Sequence, residues 1–91
     1  MKLNFSLGQV VSTPGALDAL ARAGQDAWQF IGRHAAGDWG ELDDHDRREN
    51  ELSVKEGSRI LSAYHLKDGT TIWIITEADR SSTTILLPEE Y

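Results

Sequence analysis

The feature that most restricts what this chain can become is a change of hydrophobic period at Arg59. From there "RILSAYHL", "TTIWIIT" and "TTILL" follow as β-branched and aromatic runs, separated by "KDG" and "EADRSS". Runs of that composition and length read as strands, and short connections between them favour antiparallel neighbours. The expectation is an antiparallel sheet of Arg59–Leu66, Thr70–Thr76 and Thr83–Leu87, with Lys67-Asp68-Gly69 as a hairpin turn. "IWII", Ile72 to Ile75, is apolar at successive positions, so both faces of the central strand should be covered. Helices would cover one face. The other is left to the N-terminal strand or to a second subunit, which would make the protein a homodimer.

Upstream of Arg59 the period is helical. Gln9-Val10-Val11 is a short β-prone run, after which Thr13 caps a helix with Pro14 at its first position, and Gly24 stops it. Leu17, Leu20 and Ala21 share one face of that helix. Asp26 caps a second helix with the stripe Ala27, Phe30, Ile31 and His34, ending near Gly37. Asp43 caps a third, running to about Glu56 and closed by Gly57, with Leu42, Leu52 and Val54 as its apolar anchors. The fold class is therefore α+β: two or three short helices packed on a three- to four-stranded antiparallel meander sheet. The core is expected to hold Leu17, Leu20, Phe30, Ile31, Leu61, Ile72, Ile74 and Leu86, in a single domain spanning 1–91 with a flexible lead at residues 1–6.

Composition narrows the function classes. With no cysteine there is no disulfide framework, thiolate metal site or thiol nucleophile. A net charge of -6, with nine scattered basic residues, argues against direct nucleic-acid binding. No secretory leader pattern and no apolar membrane-span pattern occurs, so the expectation is a cytoplasmic protein without membrane contact.

Against that ordinary background, "RHAAGDWGELDDHDRREN", Arg33 to Asn50, crowds eleven charged or histidine side chains around one Gly-Asp-Trp-Gly turn. Glu41, Asp43, Asp44, Asp46, Glu49 and Glu51 are interrupted only by Arg47 and Arg48 among charged residues other than His45. They read either as a solvated helix face laced by Asp43–Arg47 and Asp44–Arg48 pairs, or as an acidic surface imitating spaced phosphates. His34, Asp38 and His45 offer donors to a metal, but at no compact ligand spacing, and His34 lies on an apolar stripe where a core histidine belongs. No metal or cofactor is expected. Trp39 either plugs the core from the loop or anchors a partner. In "TEADRSS", Glu77, Asp79 and Arg80 form either an acid/base pair oriented by the guanidinium or a loop held by Arg80 on a carboxylate. The residues singled out as a partner-binding surface or loop latch are Arg33, His34, Asp38, Trp39, Asp46, Asn50, Glu77, Asp79 and Arg80; none is assigned a catalytic role.

Through "LGQVVSTPGAL", the Arg33–Asn50 stretch and above all "GSRILSAYHLKDGTTIWIITEADRSSTTILLPEEY", the chain resembles a group of short uncharacterised bacterial proteins carried on plasmids and integrated mobile elements. Some carry labels such as plasmid-related protein or restriction-modification subunit M. The resemblance implies a mobile-element setting; a methyltransferase subunit would need a far larger catalytic domain. The expectation is a non-catalytic protein-binding or accessory module whose partner is another protein. Two alternatives stand beside it: an acidic decoy or inhibitor of a host restriction or defence enzyme, and a small hydrolase or metal-dependent nuclease that would bring His34 or His45 to Glu77 and Asp79.

Overall fold

A computed structural model describes residues 4–91. Its elements are β1 (Gln9–Ser12), α1 (Pro14–Ala23), α2 (Ala27–Ala35), α3 (Asp44–Glu56), β2 (Ile60–His65), β3 (Thr71–Thr76), β4 (Ser82–Leu86) and a closing 3₁₀ turn, Pro88–Glu90. Each helix starts where a short polar side chain meets an orphan backbone N–H. Thr13 accepts from the Ala16 amide, Asp26 from Trp28 and Asp43 from Asp46. Left-handed Gly24 and Gly57 end α1 and α3. No helix among the described residues is long and apolar enough to cross a membrane.

The three C-terminal strands pair antiparallel as expected, with Ile74 central between Ser62 and Ile85. The sheet as a whole is mixed, however. Its order is β1-β4-β3-β2, and β1 runs parallel to β4, Gln9 opposite Ser82 and Ser12 opposite Ile85. A purely antiparallel meander is thus corrected. The N-terminal strand extends the sheet sideways instead of covering its second face, because the chain leaves β1 directly into α1, whose Ala16, Ala19 and Leu20 pack on the first face.

That first face carries Tyr64, Ile72, Ile74 and Ile85, which form one cluster with the α1 residues and with Phe30 and Ile31 of α2. Burying each large apolar side chain there contributes about 1.5–3 kcal/mol. Three expected core residues lie elsewhere, of which Leu86 is buried but on the opposite face of the sheet. Leu17 is 54% exposed, because the stripe of α1 begins one residue earlier at Ala16, where small side chains let the helix sit close to the sheet. Leu61 is half-buried on the opposite face, since Ile60, Ser62 and Tyr64 take the inward positions of β2. On this opposite face register groups Leu61, Ala63, Trp73, Ile75 and Leu86, and the C-terminal Tyr91 meets Trp73 edge-on at 5.7 Å.

The third helix is held differently from the expectation. Leu52 is exposed, and the buried residue of α3 is Asn50. Its side-chain amide accepts from the Leu61 N–H and donates to the Leu61 carbonyl, so it imitates a neighbouring strand at the free edge of β2. Two residues on, Ala63 donates to Trp39 and accepts from Glu41, which closes the same edge with backbone. The Asp43–Arg47 and Asp44–Arg48 pairs do not form among the described residues. Arg47 turns back instead to the carbonyls of Gly40 and Leu42, which are fixed acceptors at a helix start, whereas an exposed i, i+4 pair contributes only about 0.3–0.5 kcal/mol.

Of the proposed flexible lead, residues 1–3 lie outside the described residues. Asn4 and Phe5 are tied down, Asn4 by donating its N–H to Ala35.

Candidate functional site

The Gly-Asp-Trp-Gly turn is built from the end of α2. The Asp38 N–H donates to the Arg33 carbonyl, which brings the two side chains together across the turn. The Arg33 guanidinium then clamps the Asp38 carboxylate at 2.7 and 3.2 Å, while the same carboxylate accepts the Gly40 N–H at 3.2 Å. The Arg33 hydrogen bond, with the Gly40 amide after it, holds the Asp38 carboxyl below its usual range. Arg33 in turn lies 4.7 Å over the Tyr64 ring, whose hydroxyl donates to the Asp38 carbonyl. Burial pushes that hydroxyl up to about 12. Gly40 is required at its place: its φ of +73° suits glycine, and a Cβ there would run into the Ala63 carbonyl and the Tyr64 ring.

Trp39 is 2% exposed. Its indole N–H donates to Glu51 of α3 at 3.1 Å, so the ring fills space between α2, α3 and the sheet. It meets His34 edge-on at 5.8 Å, and the Phe5 ring stacks on it at 6.1 Å.

His34 is fully buried. Its Nδ1 bonds Ser62 Oγ, its Nε2 lies 2.8 Å from Thr76 Oγ1, Thr76 lies 2.8 Å from Thr83, and Thr83 donates to the Leu7 carbonyl at 2.7 Å. The proton positions follow from the last link. A carbonyl only accepts, so the single proton of Thr83 is committed to Leu7 and Thr83 must accept from Thr76. Thr76 has then spent its own proton and must accept from His34, which makes Nε2 the protonated nitrogen and Nδ1 the acceptor for Ser62. The imidazole is neutral, and burial lowers its pKa to about 4.

The "EADR" loop is placed on the same side of the molecule through α3 and Phe5. Arg80 takes φ +60°, uncommon without glycine. Its guanidinium donates to the carbonyls of Ser53, Ser58, Glu77 and Ala78, and lies 5.6 Å from the Phe5 centroid. Arg80 therefore holds the loop through carbonyls, not through a carboxylate. Glu77 pairs instead with Arg59 at 3.0 Å, and Arg59 reaches the Tyr91 hydroxyl at 2.7 Å. Asp79 accepts the Ser81 N–H, and Asp46 stays exposed on α3 outside the turn.

Arg33, His34, Asp38 and Trp39 are thus brought together, Asn50 and Arg80 brace the elements around them, and Asp46, Glu77 and Asp79 are not part of that group. His34 bonds hydroxyls and His45 is exposed, 3.9 Å from Glu49; neither pairs with Glu77 or Asp79 among the described residues. Nor does any group of three His, Asp or Glu side chains converge there as metal ligands. The sequence reading missed Phe5, Thr76 and Thr83, and it placed Glu51 in the acidic cluster without its bond to Trp39. For Phe5 and Leu7 the signal was available: two apolar residues at a spacing of two just before a strand. It missed Trp28 too, which stands 57% exposed at the start of α2. No protein-family model, curated protein or solved structure matches the chain.

Proposed function

We propose that the protein is a non-catalytic protein-binding or accessory module of a bacterial mobile element, acting on a cytoplasmic protein partner. One observation carries this reading. The polar side chains that might have done chemistry bond this chain's own turns and carbonyls, whereas Trp28, at 57% exposure, presents a large rigid apolar surface to water. Tryptophan is among the residue types enriched at the energetic centres of protein interfaces. The test is affinity capture from lysate of a plasmid-bearing host, with the bound protein identified by mass spectrometry. Trp28→Glu should abolish capture while leaving the melting temperature unchanged; undiminished capture would defeat the reading.

The decoy reading has its own support. Because Arg47 is folded back onto Gly40 and Leu42, Asp44, Asp46 and Glu49 face water without it as a counter-charge. A decoy would bind a DNA-processing protein with an affinity that falls steeply as salt rises, and Trp28→Glu would leave that binding intact.

A further inference from the structure

The two outer edges of the sheet are finished differently. Along β2 the edge is closed twice, by the Asn50 amide on Leu61 and by the backbone of Trp39 and Glu41 on Ala63. Along β1 nothing does the same among the described residues. The parallel ladder uses alternate residues: the Gln9 N–H donates to the Ser81 carbonyl at 3.0 Å and the Thr13 N–H to that of Ile85 at 3.0 Å, so Val11 between them also turns to β4. Val10 and Ser12 therefore point their two N–H and two C=O groups outward, and none of these four is bonded among the described residues. The strand carries no device that blunts an edge, since Gln9-Val10-Val11-Ser12 has no charge, no proline and no bulge. Val10 packs on the core, so Gln9 and Val11, the latter 40% exposed, stand on the other face of the sheet.

An exposed, uncharged strand edge accepts another strand through its main chain. A flexible peptide would have to be ordered along the whole stretch to make four such bonds, and fixing its residues costs as much as those bonds return in water, or more. A strand already held in a sheet escapes that cost. Self-pairing has a further condition: equivalent residues meet across a two-fold axis, where like charges repel, so the strand must be uncharged. β1 meets both conditions. We propose that the outer edge of β1 is the interface for a second copy of this chain, pairing antiparallel about Val11 to give one continuous sheet with four strands from each copy. In that register Val10 of each copy exchanges both main-chain bonds with Ser12 of the other, which satisfies every outward group, and the two Val11 side chains meet at the close, non-hydrogen-bonded position. Gln9 of each copy comes opposite Thr13 of the other, whose hydroxyl donates to Glu90 at 2.7 Å, so an amide stands there and not a second carboxylate. This edge is a surface distinct from Trp28, so the two readings can fail independently.

The full chain should pass from monomer to dimer in sedimentation equilibrium between about 10 µM and about 1 mM, because an interface built on one strand is small. Over the same range amide exchange at Val10 and Ser12 should slow by roughly tenfold or more, while Val11, already bonded to β4, changes little. Val11→Lys and Val11→Glu, at an exposed position, should each fold like the parent by circular dichroism and stay monomeric. An equimolar mixture of the two should dimerise again, because antiparallel pairing about residue 11 sets opposite charges against each other. Trp28→Glu should dimerise like the parent. The exchange measurement on the parent decides the matter even where a variant fails to fold. A parent that stays monomeric throughout, a dimer whose Val10 and Ser12 amides exchange at the monomer's rate, or a dimer lost in Trp28→Glu and kept in Val11→Lys overturns the proposal. So does a mixture of the two Val11 variants that stays monomeric. A synthetic peptide copying residues 8–13 that slows the same two amides as strongly as a second copy does would give the edge to a flexible strand instead.

Discussion

Acidification tests the hydroxyl chain most directly, because His34 is neutral when folded and free to protonate when unfolded. Its pKa falls from an ordinary 6.5 to about 4 on folding, through burial. The unfolded chain therefore binds more protons between those values, and stability is fully present above pH 6.5 and lost as pH falls towards 4. At about pH 5 the unfolded imidazole is almost wholly charged and the folded one nearly neutral, so the loss relative to about pH 8 is ~2 kcal/mol. By about pH 4 the slope flattens towards a limit of ~3.4 kcal/mol, a large part of the ~5–15 kcal/mol that holds a small domain together. Asp38, Asp68, Asp79 and Glu90 are all held below their usual range, Asp38 by the Arg33 hydrogen bond first, so their contributions drain away at lower pH still. Urea unfolding followed by tryptophan fluorescence, at steps from about pH 8 to about pH 5, should show the ~2 kcal/mol loss in the parent. In His34→Gln, whose amide can both donate and accept, the loss over the same window should fall below ~0.5 kcal/mol. Parallel stability curves for the two proteins would refute both the burial and the neutral tautomer.

Trp39→Ala should cost about 3–5 kcal/mol in chemical denaturation, since it empties the space between α2, α3 and the sheet, whereas Glu41→Ala and Asp44→Ala, both exposed, should change stability by less than ~0.5 kcal/mol. Equal small effects for all three would contradict the plug. Asn50→Ala strips the Leu61 N–H and carbonyl of their partner and should cost about 1–3 kcal/mol, with faster amide exchange at Leu61 as the local signature; unchanged exchange there counts against an edge cap. Gly40→Ala should destabilise by more than ~1 kcal/mol, from a left-handed φ and the contact with Ala63, and a thermal melt unchanged from the parent would contradict it.

How much could be read in advance followed from how local the cause was. The caps at Thr13, Asp26 and Asp43 and the β2–β3–β4 pairing were legible because each depends on residues close in sequence. The partner of β1 was not, as its ladder lies 73 positions away (82 − 9) and a four-residue strand carries no mark of direction. Leu17 misled because a large residue was given more weight than Ala16 and Ala19, although close helix–sheet contact favours the small ones. Leu52 misled likewise: α3 is anchored by the Asn50 amide, whose value lies in a strand edge that the helix sequence does not encode. In the candidate site, the placement of His34 on an apolar stripe was readable. Its hydroxyl partners Ser62 and Thr76, and Thr83 behind Thr76, come from three different strands and were not.

The parallel pairing of β1 with β4 sets an order of events during synthesis. Gln9–Ser12 is synthesised well before its partner, Ser82–Ile85, to which it is paired across the whole domain. Until β4 has been made, β1 and residues 4–8 before it have no ladder to join, and the contacts of the Phe5 ring lack Arg80. Closing so distant a contact is also among the slower steps for a chain of this size. We therefore expect residues 4–12 to dock last, once β4 is available to pair with them. Nascent chains stalled before Thr83 should leave residues 4–12 open to protease, and protection of that segment on such stalled chains would show that another element receives it first.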